Sequence, residues 1–160
     1  MKAEQINPFI ASTVNVFSTM LSCPLERGTP YLRGQREPQD FQVTGIIGLT
    51  GRASGTVVLT MTQNVAVRAA EAVLGTAYEQ ISADVVDMVG ELTNMIAGSA
   101  KAQLESLDMS VSLPTVITGS SHAVQFPSKA PQICVPFQSP WGALCLEVGL
   151  VEKDPPLPNA

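Results

Sequence analysis

The sequence contains little of what several large classes of protein require. Its nine basic residues are scattered among 160, and the formal net charge is −5, so there is no basic patch for nucleic acid or an anionic membrane. No apolar run approaches the roughly 20 residues that cross a bilayer. The N-terminal segment is polar and contains Pro8 where a signal peptide needs an unbroken apolar core. We therefore expect a cytoplasmic protein that binds neither nucleic acid nor membrane.

Cysteine and histidine are equally scarce. Three widely spaced cysteines, Cys23, Cys134 and Cys145, suit neither a disulfide framework nor a zinc site, and we expect them to be reduced and buried. His122 is the only histidine, and no motif places a cysteine or serine beside it, which argues against a catalytic triad. The glycines within 45–55 are not followed by the Gly-Lys-Ser/Thr of a phosphate-binding loop. We interpret them as hairpin and sheet glycines.

The composition that remains is that of a folded domain. Apolar residues make up 45% of the chain and aromatic residues 5%, which excludes a disordered protein and leaves aliphatic side chains to form most of the core. The length suits one domain. We expect that domain to cover residues 1–151, because residues 152–160 are charged and then proline-rich and are typical of a disordered tail.

Apolar residues at helical spacing predict three helices, over residues 8–21, 64–74 and about 83–106. Asn7 is the expected N-cap of the first helix, with Pro8 at its first position. Asn64 is the expected N-cap of the second helix, and Gly75 is expected to end it. The segment between the first helix and residue 41 is punctuated by proline and glycine and is predicted to be irregular.

Alternating and apolar runs predict strands in the remaining segments. Phe41–Thr50 and Thr56–Thr62 form an expected hairpin with a five-residue loop. Four later strands are predicted over Ser110–Ile117, Ala123–Phe126, Gln132–Phe137 and Ala143–Val151. A helix followed by a hairpin thus occurs twice, and overlaying Pro8–Thr19 on Asp87–Gly98 aligns Asn15 with Asn94. We predict an α+β fold with helices packed on a mostly antiparallel sheet, built from two diverged helix–hairpin repeats.

One face of the third predicted helix carries an unusual polar set. Four of its residues fall within a stripe roughly 60° wide, and we call them the motif stripe: Asp87, Glu91, Asn94 and Gly98. The apolar residues Val85, Val89, Leu92 and Ile96 centre on the opposite side, where a core should lie. Gly98 costs about 1 kcal/mol relative to alanine within a helix, so its presence on an exposed face indicates a place where another molecule comes close. Spacing alone leaves open an ordinary solvated helix face.

The order Asp87-x-x-x-Glu91-x-x-Asn94-x-x-x-Gly98 resembles the signature of the CheC/CheX/FliY family of bacterial chemotaxis phosphatases. The opening Asn-Pro-Phe helix, the hairpins and the order of elements are also similar, over roughly residues 5–151. In the overlay above, the first helix has Ser12 in place of the glutamate and Thr19 in place of the glycine. The chain therefore resembles the single-motif CheX branch.

The resemblance implies a function that the residues themselves can support. It assigns Glu91 and Asn94 as catalytic residues and implies a supporting docking face at Asp87 and Gly98. The implied substrate is the aspartyl phosphate of a CheY-like response regulator, with Mg²⁺ held by that partner and no metal or cofactor bound by this chain. It also implies a homodimer, for which Ala143–Val151 offers a plausible sheet edge. The alternative is a receiver-binding adaptor or flagellar-switch-like module of the same fold without activity.

Overall fold

The computed structural model describes residues 1–36, 41–119 and 131–154. Its α-helices are α1 Ala3–Leu21, α2 Gln63–Leu74 and α3 Ala83–Ala102, followed by a 3₁₀ turn at Glu105–Leu107. Its strands are β1 Glu26–Arg27, β2 Tyr31–Leu32, β3 Val43–Thr50, β4 Ala53–Met61, β5 Ser110–Val111, β6 Thr115–Thr118, β7 Ile133–Ser139 and β8 Gly142–Glu152.

The described strands form one antiparallel sheet. Its order is β1-β7-β8-β4-β3-β5, with β2 also paired to β7 and β6 also paired to β3. The hairpins β3–β4 and β7–β8 meet at a long β4–β8 ladder that runs from Ala53↔Glu152 to Met61↔Leu144. Each hairpin is preceded or followed by helices that pack on the sheet. The predicted α+β fold is confirmed.

The core lies between the helices and one face of the sheet. Side chains at alternate positions of the central strands are fully buried, as the two-residue period of a strand requires. They pack against Phe9 and Phe17 of α1 and against the apolar face of α3. Burying a phenylalanine or leucine side chain contributes about 2 kcal/mol, so this layer holds α3 in a fixed orientation.

The first helix begins at Ala3, so the prediction that Asn7 caps it and Pro8 opens it is wrong. Pro8 lies inside α1, although it cannot donate the backbone hydrogen bond of that turn. Tertiary contacts explain the extra turn, because Gln5 is buried and its amide donates a hydrogen bond to Glu152 at the end of β8. Packing against β8 therefore outweighs the local preference of proline for the first position of a helix.

Two other predicted boundaries differ for similar reasons. The β3–β4 ladder ends at Leu49↔Gly55, so five residues, 50–54, connect its last paired positions. The predicted loop length is correct, and the loop lies one residue earlier than the predicted 51–55. β4 begins at Ala53, earlier than the predicted Thr56, because Ala53 and Ser54 pair with β8. The N-cap of α2 is Thr62, and its hydroxyl accepts from the Val65 N–H. The predicted cap, Asn64, instead donates to the Trp141 carbonyl at 2.7 Å.

Gly75 ends α2 in the left-handed conformation, as predicted. The strand expected over Ser110–Ile117 is split into β5 and β6, and the third helix ends at Ala102. Two short strands, β1 and β2, occupy the segment predicted to be irregular. β8 extends one residue into the predicted tail, to Glu152. The expected strand Ala123–Phe126, His122 and the end of the tail from 155 to 160 lie outside the described residues.

Strand β8 lies in the middle of the sheet. It pairs with β7 over Gly142–Val148 and with β4 over Leu144–Glu152, so only its last few residues lack a partner strand on one side. The expectation that Ala143–Val151 offers an edge to a second copy is therefore wrong. Among the described strands, the edges of the sheet are formed by β1 and β2 on one side and by β5 and β6 on the other.

The cysteines are buried and unpaired, as predicted. Burial raises the pKa of Cys23. A hydrogen bond with Cys145, together with burial, raises the pKa of Cys134. Because the thiolate is the reactive form, a raised pKa makes Cys23 and Cys134 poor nucleophiles, and both are buried packing residues.

Helix α3 sits close to β3 at one glycine. A Cβ added to Gly45 would lie 2.1 Å from the Thr93 Oγ1 and 3.1 Å from its Cβ. Thr93 is fully buried and its branched side chain has little rotamer freedom. Gly45→Ala is therefore expected to lower the free energy of unfolding by about 1–3 kcal/mol, the usual cost of overpacking, in urea denaturation.

A double-mutant cycle with Thr93→Ala tests the assigned contact. Removing the Thr93 hydroxyl relieves the shortest contact, so Gly45→Ala should cost less in the Thr93→Ala background than in the wild type. Equal costs in the two backgrounds would show that the close approach of α3 to β3 does not set this position.

Candidate functional site

Helix α3 carries the candidate site, and its ends are well defined. The Ser82 hydroxyl accepts from the Val85 N–H at its start, which satisfies one of the free amides of the first turn. Asp84 lies in that first turn and Lys101 in the last, so both charges oppose the helix dipole favourably. Tyr78 donates to the Asp84 carboxylate at 3.0 Å and joins the preceding loop to the helix.

The structure brings the four residues of the motif stripe onto one accessible face of α3, as predicted. Asp87 and Glu91 are exposed, and Asn94 and Gly98 are half-buried. The opposite, apolar face is 0% exposed at all four predicted positions: Val85, Val89, Leu92 and Ile96. The stripe extends about 16 Å along the helix at 1.5 Å per residue. It is rigidly mounted, because the core side of the same helix cannot move independently.

The polar side chains of the motif stripe are not engaged within the described part of the chain. Neither Asp87 nor Glu91 has an ion-pair partner there, and Asn94 makes no side-chain hydrogen bond. A carboxylate can accept several hydrogen bonds, and an amide can both donate and accept. These groups are therefore available to another molecule.

The two glycines of α3 differ in what surrounds them. A Cβ at Gly90 would contact Pro114 and Val116, each at 3.4 Å, so packing inside the chain accounts for the small residue there. A Cβ at Gly98 would meet nothing within 4 Å. Among the described residues, no contact explains a glycine at that position, and the helix surface beside Asn94 is open.

The first helix does not duplicate this site. Ser12 is buried, and its hydroxyl donates to the Ser99 hydroxyl at 3.2 Å and accepts from the Gln103 amide at 3.5 Å. Ser12 therefore joins α1 to α3 and faces away from solvent, whereas Glu91 is exposed. Asn15 of α1 is exposed but has no glutamate or glycine arranged around it as Asn94 has.

The burial pattern also places the repeat one residue away from the predicted register. Buried positions of α1 match buried positions of α3 in the order Phe9, Thr13, Val16, Phe17 and Val89, Thr93, Ile96, Ala97. In both helices the buried threonine donates to the carbonyl four residues earlier at 2.8 Å. This register aligns Val14 with Asn94, so the predicted match of Asn15 with Asn94 is wrong. Short apolar patterns overlay in neighbouring registers almost equally well, and side-chain burial distinguishes them.

The described residues contain no cluster of three or more histidine, cysteine, aspartate or glutamate side chains placed to hold a metal ion. In the same part of the chain, no helix combines the length and apolarity needed to span a membrane. The motif stripe is therefore the candidate functional site.

The loop 112–114 lies beside α3, where the sequence predicted a strand. Pro114 packs against Gly90, one turn from both Asp87 and Asn94. Periodicity predicted one unbroken strand over this segment, and only Pro114 itself signalled an interruption. The neighbourhood of the motif stripe therefore includes a loop as well as a helix.

Helices packed on a mostly antiparallel sheet make the fold similar to that of CheC-like superfamily proteins. The family model described as chemotaxis phosphatase CheX matches residues 43–138. The chain belongs to this family.

Known relatives agree with this assignment. The chain is 30% identical over 122 residues to the CheY-P phosphatase CheX of Thermotoga maritima, covering 74% of this chain and 78% of that protein. The crystal structure of the chemotaxis protein CheX from Vibrio vulnificus is similar, with a TM-score of 0.86, 33% identity, and coverage of 93% of this chain and 100% of that one.

A third similar structure is a complex. It is the CheX–CheY complex of Borrelia burgdorferi, crystallised with beryllofluoride and Mg²⁺. Its TM-score is 0.77 at 22% identity, and the match covers 94% of this chain and 100% of that one. At that identity the similarity concerns the fold.

Proposed function

We propose that this protein hydrolyses the aspartyl phosphate of a CheY-like response regulator in chemotaxis or a related two-component pathway. The main structural support is the motif stripe. Within the described residues, Glu91 and Asn94 have no partner, and Gly98 faces open space. Membership of the CheX family supports the same assignment, as does the Thermotoga maritima relative, which is a CheY-P phosphatase.

Hydrolysis of an aspartyl phosphate requires a correctly placed water more than it requires a strong nucleophile. An acyl phosphate is already activated, so the principal requirement is one water held in line with phosphorus. The water oxygen bonds to phosphorus, the bond from phosphorus to the aspartyl oxygen breaks, and inorganic phosphate leaves with both hydrogens of the water, one of which it can release to solvent. The aspartate of the receiver is regenerated as a carboxylate.

Asn94 suits this step because a carboxamide carries both kinds of hydrogen-bonding group. Its oxygen accepts from the attacking water, and its NH₂ donates to a phosphoryl oxygen. A carboxylate at the same place would repel the phosphoryl group. We therefore assign the positioning of the water to Asn94.

Glu91 suits a different role. It is exposed one turn before Asn94, where a carboxylate can form a charge-assisted hydrogen bond with a lysine of the receiver. Such a contact fixes the position of α3 along the partner and lowers the entropy cost of presenting Asn94 to the phosphoryl group. Asp87 lies one turn further along the same face and supports docking.

Magnesium belongs to the partner in this proposal, and this chain contributes no metal or cofactor. Mg²⁺ is coordinated by carboxylates and phosphate oxygens, which the phosphorylated receiver supplies. In the Borrelia burgdorferi complex, Mg²⁺ accompanies CheY and beryllofluoride, a mimic of the phosphoryl group. The enzyme acts in the cytoplasm, where its substrate is phosphorylated. The homodimer implied by the family resemblance forms through a surface other than β8.

Decay of a phosphorylated receiver from the same cell tests the proposal. With the phosphatase present at a small fraction of the receiver concentration, the decay rate should rise in proportion to phosphatase, because each molecule turns over repeatedly. Binding to the receiver without faster decay would instead identify the adaptor alternative. Absence of both binding and faster decay would contradict the proposal.

Gly98 provides a test that separates docking from folding. Gly98→Leu should raise the free energy of unfolding by about 0.5–1 kcal/mol, since glycine is the poorer helix former and the added side chain meets nothing. The same change should raise KM for the phosphorylated receiver by about tenfold or more, because the new side chain occupies the docking space. Gly98→Ala is the matched control and should retain activity within about threefold. If Gly98→Leu is as active as Gly98→Ala, a close approach of the receiver at Gly98 is excluded.

A further inference from the structure

One large apolar side chain projects into solvent from the loop that packs against α3. Leu113 is 89% exposed and is the most exposed large hydrophobic residue in the described part of the chain. A single exposed leucine needs no special explanation. The neighbours of Leu113 in sequence, however, are both fixed to the body of the protein.

Ser112 fixes the loop on one side. Its N–H donates to the Gly48 carbonyl at 2.9 Å, and its hydroxyl accepts from the Gly48 N–H at 2.9 Å. The same hydroxyl donates to the carbonyl of Leu113 at 2.9 Å. Both backbone groups of one β3 residue are therefore bound to Ser112, and the backbone of Leu113 itself is held.

Pro114 fixes the other side. Its Cγ lies 3.4 Å from the position of a Cβ on Gly90, which is ordinary close packing against α3. Gly90 precedes Glu91 and lies one helical turn from Asp87 and from Asn94. The loop therefore packs against α3 within one turn of the motif stripe, and Leu113 is the exposed residue of that loop next to Pro114.

We propose that Leu113 is an apolar docking residue for the phosphorylated receiver, forming one contact surface with the motif stripe. This inference rests on the proposed function. The occupant is the receiver because the loop that carries Leu113 packs on α3 one turn from the face assigned to the receiver. A side chain on a fixed backbone loses little conformational entropy on binding, so burial of its apolar surface is converted efficiently into affinity. Leu113 thereby determines how tightly the receiver binds and does not take part in the chemical step.

The test compares Leu113→Ala and Leu113→Asp with Leu32→Ala. Leu32 is a suitable control because it is 43% exposed and lies on β2, at the opposite edge of the sheet from β5 and β6. Affinity is measured for a CheY receiver activated with beryllofluoride and Mg²⁺, and KM and kcat are measured with the phosphorylated receiver. Melting temperature and mass in solution are measured for each variant.

Leu113→Ala should raise both Kd and KM about tenfold, in line with the loss of roughly half the burial of a leucine. Leu113→Asp should raise them further, while kcat at saturation and the melting temperature stay unchanged. Leu32→Ala should remain within about twofold of the wild type. A lower kcat with unchanged Kd would overturn the docking role.

Two outcomes distinguish this inference from the proposed function. If the wild type dephosphorylates the receiver and the Leu113 variants bind as the Leu32 variant does, Leu113 is not a docking residue although the function stands. If the wild type neither binds nor dephosphorylates the receiver, the function fails and the inference fails with it. A change of mass in solution in the Leu113 variants would assign the leucine to contact with a second copy and would also overturn the proposal.

Discussion

Replacing Asn94 with alanine is expected to reduce receiver dephosphorylation by about a hundredfold or more, the range seen when one stabilising donor is removed from an active site. The substitution removes the group that holds the attacking water, and nothing else in the described motif stripe can replace it. Asn94 is half-buried on a helix surface, so the free energy of unfolding should change by no more than about 0.5 kcal/mol. Steady-state kinetics and urea denaturation measure the two effects.

Asn15→Ala is the matched control for this prediction. Asn15 is an exposed asparagine on the helix packed against α3, but the burial pattern does not align it with Asn94. Its loss should change turnover by no more than about twofold, equivalent to about 0.4 kcal/mol in the barrier. A large loss from Asn15→Ala alone would mean that α1 contributes to catalysis. Full activity of the Asn94→Ala protein would end the proposed mechanism.

Replacing Glu91 with alanine is expected to weaken receiver binding as well as turnover, each by about tenfold or more, because a charge-assisted contact between the proteins is lost. The difference from the wild type should be largest at low salt and should shrink as salt is raised, since about 0.1 M salt already screens exposed charges beyond about 10 Å. Affinity titrations and kinetics across a salt series provide the measurement.

Asp87→Asn is the control for Glu91, because it removes a carboxylate from the same face one turn away. It should reduce affinity by no more than about threefold, as an exposed charge at the border of an interface usually does. A loss of turnover in Glu91→Ala with unchanged, salt-independent affinity would assign Glu91 to the chemical step. Equal effects of Asp87→Asn and Glu91→Ala would show that Glu91 contributes to binding only as one of several exposed charges.

The sequence predicted the fold class and the motif helix because both depend on strong periodicity. Val85 and its apolar partners repeat at helical spacing over about three turns, so the buried and exposed faces of α3 followed directly. The start of α1 was missed because Gln5 gains its helical conformation from a contact with β8, 147 residues away. No local pattern carries that information. Strands β1 and β2 are two residues each, too short to show any alternation.

The site was predicted as a set of residues, but its surroundings required the structure. The spacing of Glu91 and Asn94 placed them on one face, and no packing contact in the described part of the chain explains Gly98, as expected. The contact of Pro114 with Gly90 joins segments distant in sequence, so the position of Leu113 could not be derived from either segment. The central position of β8 in the sheet could not be derived from the sequence either, because its apolar pattern suits a central strand as well as an edge strand.

The most direct test of the central claim is phosphate release from the phosphorylated receiver in ¹⁸O-labelled water, with catalytic amounts of the wild-type protein and of the Asn94→Ala protein. Water held in line with phosphorus predicts rapid release by the wild type, with one ¹⁸O in each inorganic phosphate and none in the receiver aspartate. The Asn94→Ala protein should leave release at its spontaneous rate. Release by the wild type no faster than the spontaneous rate, or ¹⁸O recovered in the aspartate carboxylate, would contradict the account.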